Sequence, residues 1–424
     1  MKHKKKPTSH EKQKIIAAQY RNDFFSKMKL IIDTCCGKNI YPLIPQKILD
    51  YTYLCRNSPF KFRADSNSNI SSTILTDSKV ILTHVLKNQN IILPPNNLEI
   101  TIYEYYTVMF TIASLNSIIK DINFKDIDIV KNALNILVND SETNDHVNQS
   151  MHNILYYYNI GLNNLKQNLY WYHHQIIPPL NFPNETENVI TIHSIIPETI
   201  AVEIDNNTRP AIRVGWAFPI TGPQWISINP SILGVNSPFA EIPVNVYIQS
   251  HALNRLLERV DCFEVGMIQF NIYVSLLLHK VTIATNKNIL IEFSILGIKV
   301  GYFRTDIIDG IILIRTFLFI TNNGTPEGQL LEKNTGLQKF DKKYLALDKL
   351  STFMASDIDK NEEVRQIFKS SGCQCLLDLY EKMKPIVTKT SDHFNSELIL
   401  NYLNTNNSNY TVPLSETQLH ETNI

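Results

Sequence analysis

Glycine is scarce in this chain, at 13 of 424 residues, and the glycine-dependent motifs are missing with it. There is no Gly-x-Gly-x-x-Gly to approach a dinucleotide pyrophosphate and no Gly-x-Ser-x-Gly nucleophile elbow, nor is there a His-Glu-x-x-His zinc helix. Thr321-Asn-Asn-Gly-Thr-Pro-Glu-Gly328 has the look of a phosphate loop. It lacks the Gly-Lys-Ser/Thr ending, and on sequence it follows a strand without entering a helix directly, so an ordered turn is expected. Six cysteines, at positions 35, 36, 55, 262, 373 and 375, are too few and too irregular for a disulfide framework. Cys373-Gln-Cys375 has no second pair at zinc-ligand spacing. Reduced thiols and a chain with no metal and no cofactor are the expectation. Excess charge of one sign is also missing: Lys+Arg and Asp+Glu are both 40. That excludes a general positive coat for gripping nucleic acid but leaves room for a local basic site. The strongest apolar run, Ile307 to Ile320, is broken by Asp309 and Arg315 and falls short of the about 20 residues of a membrane span. No apolar segment of a signal peptide follows Met1-Lys-His-Lys-Lys-Lys-Pro7. A cytoplasmic protein without a membrane partner is expected.

What is present is enough apolar residue, 44%, to build more than one core, with a heavy use of Asn and Ile that reads as the codon bias of an AT-rich genome. Residues 1–10 read as a basic, disordered and solvated tail. Residues 11–180 read as an α-helical domain. Within it, apolar residues from Ile15 to Ile31 recur at near-helical spacing, Asn139 to Asn148 is a polar loop, and Met151 to His174 is a long aromatic helix stopped by Pro178 and Pro179. His173-His174 reads as a packed helix end rather than a metal pair. After Pro183 the texture changes to short β-branched and aromatic segments punctuated by Pro and Gly. Residues 185–385 therefore read as an α+β domain with an antiparallel sheet, and 386–424 as a loose tail. Strands are expected at 244–249, 289–295, 298–304 and 311–320, with tight turns at Gly297 and Asp309-Gly310. Helices are expected at 251–260, where Ser250 offers an N-cap, and at 263–278.

The segment that could carry chemistry is Ser250-His-Ala-Leu-Asn-Arg-Leu-Leu-Glu-Arg259. On a helix His251, Arg255 and Arg259 are four residues apart each time and project along one face. One imidazole and two guanidiniums suit an anionic ligand, since each Arg can fork onto phosphate oxygens and His moves a proton near neutral pH. Arg315 interrupts an otherwise apolar strand and needs a partner or a ligand. Asp306 and Glu292 are the structural partners to weigh for it. For Arg255 and Arg259 the alternative is a solvated face paired with Glu258 and Asp261.

The Ser-His-Ala-x-x-Arg-x-x-x-Arg helix, followed by a second helix, four meandering strands and another helix, resembles the RelE-like ribonuclease toxins. It is similar to the wider barnase–EndoU–colicin–RelE group of metal-independent ribonucleases over residues 243–355. Two features depart from that pattern: the segment is nearly neutral, and the long first domain has no counterpart.

The resemblance implies a metal-independent endoribonuclease, a toxin or phage-defence effector with RNA as substrate and a cognate inhibitor or antitoxin as partner. His251 would deprotonate the ribose 2′-hydroxyl, and Arg255, Arg259 and Arg315 would neutralise the phosphate in the transition state. Tyr302, Arg304 and Thr316 on the late strands would contact substrate. The alternative is a non-catalytic module that binds RNA or a protein through the same basic groove.

Overall fold

A computed structural model describes residues 9–138, 140–284, 288–355, 358–383, 399, 401 and 402. The expected tails at 1–10 and 386–424 lie, apart from a few residues, outside the described set. The class is α+β, with helices concentrated in the N-terminal half and a largely antiparallel sheet in the C-terminal half. Two compact units divide the chain. The first takes in the chain through Asn159, Tyr170–Ser194 and Phe218–Gly222; the second holds Ile160–Leu169, Ile195–Ala217 and the chain from Pro223 onward.

The first unit is not purely helical. Helices at Ser9–Cys35, Gln46–Leu54, Ser72–Asn88 and Ile127–Val138 are accompanied by a hairpin, Asn90–Leu93 with Leu98–Thr101. A three-stranded sheet runs Lys61–Ala64, Glu187–Ile195, Leu169–Ile177, its first pair parallel. Two expectations are corrected here. The polar stretch 139–148 largely joins a helix, Ser141–Leu162. The long aromatic helix ends at Leu162, and Leu169–Ile177 is a strand. Gly161 and Asn163-Asn164 are poor helix formers, so the helix stops there. The Tyr, Trp and Ile content beyond them fits a pleated, half-buried surface. His173 and His174 therefore sit on a strand rather than at a helix end. His174 is mostly enclosed, edge-on to Tyr106 at 4.7 Å, and burial lowers its pKa to about 4, so it is neutral at pH 7.

The second unit is built on an eight-stranded sheet. Its main path is Val281–Ile283, Ile289–Ile295, Ile298–Ile308, Ile311–Phe319, Val244–Gln249, Asn207–Arg213 and Thr199–Ile204, with Ser227–Ile228 pairing off the path. All pairs are antiparallel except Val244–Gln249 with Ile311–Phe319. The two tight turns behave as read: Leu296-Gly297 and Asp309-Gly310 all have positive φ, the geometry of the favoured two-residue hairpin loop. Helices Ser250–Arg259 and Val265–Leu278 follow the parallel strand, and shorter helices from Pro326 to Met383 complete the unit. Ser250 is the first residue of its helix rather than its cap; Gln249 takes the cap position without a side-chain hydrogen bond.

Arg315 shows how the sheet is shaped. The register passes from Arg304–Thr316 to Thr305–Ile314, so Arg315 is the extra residue of a β-bulge. Its guanidinium donates to Asp306 and to Asp205, each at 2.9 Å. Asp205 follows an edge strand three places away in the sheet order. In a flat sheet that separation is about 14 Å, beyond the reach of the two side chains, so the sheet curls. The enclosed face is filled by Val202, Ile204, Ala211, Tyr247 and Leu313.

The six cysteines are all free. Among the described residues, no helix is long and apolar enough to cross a membrane.

Candidate functional site

The helix Ser250–Arg259 forms as the sequence dictates. Ala252, Leu253 and Leu256 are fully buried, and His251, Arg255 and Arg259 share another side. That shared side is not a single site. His251 is exposed. Arg255 Nη1 pairs with Glu258 at 3.1 Å, the solvated pairing weighed for it. Arg259 pairs with Asp348 rather than Asp261, and both side chains are largely covered, 18% and 15% exposed. Asp261 instead accepts from Ser351. Eight residues of helix put His251 and Arg259 about 12 Å apart along the axis.

Arg315 lies elsewhere. Its partner Asp306 sits opposite Leu313, on the face filled by the Val202–Leu313 cluster. No side chain of Ser250–Arg259 joins that cluster, so the buried side of this helix packs on the other face, across Ile311–Phe319 and Val244–Gln249. His251 and Arg315 are thus on opposite sides of the sheet and do not converge. Arg304 and Thr316 face each other across the strand pair beside Arg315. The buried Arg304 Nε has no hydrogen-bond partner. Tyr302 reaches no substrate surface: it is 2% exposed and donates its hydroxyl to Glu327 at 2.9 Å.

Of the seven residues singled out from sequence, Arg259 opens onto a basic cavity. Arg259, Asn322, Asn323, Lys339, Lys342, Lys343 and Asp348 surround a space of about 50 Å³, room for little more than one tetrahedral anion. The loop Thr321–Thr325 that forms one wall is tightly built. Thr325 donates to the Ile320 carbonyl at 2.6 Å, and its hydroxyl accepts from Gly328 N as the cap of helix Pro326–Thr335. A Cβ on Gly328 would lie 1.8 Å from the Asn322 carbonyl oxygen, so only glycine lets the helix start this close to the loop. The sequence expectation that the loop enters no helix is corrected: strand, loop and helix are continuous.

The lysine that a phosphate loop normally carries within itself comes here from another element. Lys342, on helix Lys339–Tyr344, is 2% exposed. Its ammonium donates to Asn323 Oδ1 at 2.7 Å and to the Gly328 carbonyl at 2.8 Å, both neutral acceptors. Among the described residues no carboxylate pairs with it. Burial lowers its pKa to about 8, against the opposing pull of Glu332, Cys373 and Asp341. Lys339 and Lys343 on the same helix are exposed and likewise form no ion pair among the described residues. Asp348, already engaged by Arg259, is the cavity's one acidic lining residue.

Exposed aromatics adjoin this charge: Phe340 is 76% exposed and Tyr344 70%, one helical turn apart. Sequence reading passed over this corner because its parts, at 259, 321–323 and 339–348, are far apart in the chain. The interleaved Lys339-Phe-Asp-Lys-Lys-Tyr344 was the available signal.

Comparison with protein-family models, curated proteins and solved structures finds no match to this chain. The resemblance to RelE-like toxins therefore rests on the quoted residues alone.

Proposed function

We propose that the chain is a non-catalytic RNA-binding module that holds single-stranded RNA at the corner formed by Lys339–Tyr344 and the Thr321–Thr325 loop. The observation that carries this is Lys342: a buried ammonium with no carboxylate partner among the described residues, opening into an anion-sized cavity ringed by three more cations. A backbone phosphate supplies the missing negative charge. Exposed Phe340 offers a neighbouring base a ring to stack on, as in sequence-tolerant single-strand binders, while the Tyr344 ring packs against Tyr402 at 5.6 Å. Cleavage is supported less. The one sequence-proposed base, His251, is about 12 Å along its helix from Arg259 and across the sheet from Arg315, and among the described residues no His lines the cavity.

The test is fluorescence anisotropy of a labelled single-stranded RNA across a salt series. Binding should weaken with salt, and Lys339→Ala and Lys343→Ala should each flatten the slope of log K against log salt by about 0.7. Phe340→Ala should cost about 1–3 kcal/mol at every salt concentration. The RNA should stay intact in EDTA. Absence of binding, or a slope that neither lysine changes, rejects the module. Cleavage that His251→Ala abolishes would restore the endoribonuclease reading.

A further inference from the structure

The first unit contains a cleft of its own, separate from the RNA corner. It has a volume of about 390 Å³ and lies between helix Ser9–Cys35, the end of helix Ser72–Asn88 and the segment Thr101–Val108. This is within the roughly 300–1,000 Å³ range of small-molecule sites. Tyr20, Asp23, Phe24 and Lys27 reach it at helical spacing from the first helix. Tyr103 and Lys87 face them.

Its charged groups are two lysines and two carboxylates: Lys27, Lys87, Glu104 and Asp23, the last forming no ion pair among the described residues. Lys27 is neutralised by Glu104 at 2.8 Å, and Glu104 is fixed in turn by a capping box with Thr101. Lys87 is different: its ammonium sits 4.8 Å from the centre of the Tyr103 ring, and among the described residues no carboxylate pairs with it. The Tyr20 and Tyr103 hydroxyls form no hydrogen bond to any described residue. Both side chains are half-buried, and neither hydroxyl is sealed in the interior, so both are left to bond whatever fills the cleft.

We propose that this cleft binds a small aromatic anion, its ring packed among Tyr20, Phe24 and Tyr103 and its acidic group held by Lys87. Lys87 and Asp23 are the cleft's charges with no ion pair among the described residues, so an acidic group has its place at Lys87 and away from Asp23, while a bare anion would leave the ring-lined part of the cleft unfilled. The occupant therefore needs both parts. Lys87 lies at the rim, so the acidic group sits at the mouth and the ring enters first.

Isothermal titration of the full chain tests this with four probes: indole-3-acetate and AMP as aromatic anions of two sizes, indole-3-ethanol as a neutral ring, and inorganic phosphate as a ringless anion. At least one aromatic anion should bind at least ten-fold more tightly than indole-3-ethanol. Lys87→Gln should abolish that preference while leaving the circular dichroism spectrum unchanged, since Lys87 is exposed. Tyr20→Phe should weaken binding about three-fold or more. Phosphate should be unaffected by Lys87→Gln, because any phosphate bound belongs to the Lys342 cavity. The proposal is overturned if neither aromatic anion binds, if the neutral ring binds as tightly, or if Lys87→Gln leaves the titration unchanged. AMP, with a base and a phosphate, can also occupy the RNA corner, so only binding that Lys87→Gln removes counts for the cleft, and that variant leaves the RNA corner untouched.

Discussion

Glu327→Ala is expected to destabilise the protein by about 3 kcal/mol, the low end of the range for breaking a buried ion pair. Glu327 is 8% exposed at the start of helix Pro326–Thr335. Its Oε1 accepts from Lys299 Nζ at 2.6 Å and from the Tyr302 hydroxyl at 2.9 Å, which fastens the helix to strand Ile298–Ile308. Without it, Lys299 keeps, among the described residues, Glu292 at 3.6 Å as a counter-charge. Burial alone would lower the Lys299 pKa, but the bonds to Glu327 and Tyr302 outweigh it and raise the value above that of a free lysine. A group raised in this way contributes its full stability below the ordinary lysine value of about 10.4 and loses it only as pH climbs through the folded value. The effect is therefore complete at pH 7, where urea unfolding followed by circular dichroism measures it. Because Glu327 Oε2 is buried without a hydrogen bond, the pair is imperfectly satisfied. Lys299→Met with Glu327→Met should recover at least half of the single-variant loss. A Glu327→Ala cost below about 1 kcal/mol would show that the helix is held by other contacts.

The second unit was the more legible part of the chain, for a local reason. Its strands are short β-branched runs, and its turns are marked by residues that tolerate positive φ, as at Leu296-Gly297 and Asp309-Gly310. Strands 244–249 and 289–295 coincide with the reading residue for residue. The first unit was misread where two signals conflicted. Met151 to His174 carries two aromatic clusters, Tyr156–Tyr158 and Tyr170–Tyr172, and aromatic residues serve helix and strand alike, so only the weak stop at Gly161–Asn164 separates the two elements.

The candidate site was hard to read because its meaning lies in partners far away in sequence. The helical spacing of His251, Arg255 and Arg259 was visible. That Arg259 pairs with Asp348, and that Asp205 reaches Arg315 from 110 residues away, depends on how the sheet curls and how the later helices return. Asp306, nine residues from Arg315, was within reach of sequence reasoning and is one of its two partners. An Arg in an apolar strand needs a partner or a ligand, and the two are not distinguishable from the sequence. The structure supplies the partner from within the protein, and the curl of the sheet makes it possible.

Lys342 reverses that relation. It keeps its position in the cavity with no ion-paired carboxylate among the described residues, so it should cost stability until an anion arrives. With a folded pKa of about 8 against 10.5 for the free group, the charged form is disfavoured on folding by about 3 kcal/mol, at 1.36 kcal/mol per pKa unit. The sign follows from proton counting. Between pH 8 and 10.5 the folded chain binds fewer protons at this residue than the unfolded chain, so the stability due to Lys342 rises with pH across that window. Below pH 8 the penalty is complete and constant. The buried tyrosines and Cys373, whose pKa values burial raises, push stability the other way at high pH. The comparison must therefore be with Lys342→Met, which leaves the tyrosines unchanged and removes from Cys373 only the lowering pull of the ammonium. The stability of wild type minus that of Lys342→Met should be flat from pH 6 to 7.5 and should then grow in favour of wild type by up to about 3 kcal/mol by pH 10.5. Inorganic phosphate at pH 7 should stabilise wild type, by about 2.7 kcal/mol at 100 times its dissociation constant, and leave Lys342→Met unmoved. A pH-independent difference would mean that the ammonium is better solvated than its burial implies. Equal stabilisation of both proteins by phosphate would place the anion away from Lys342 and remove the observation on which RNA binding rests.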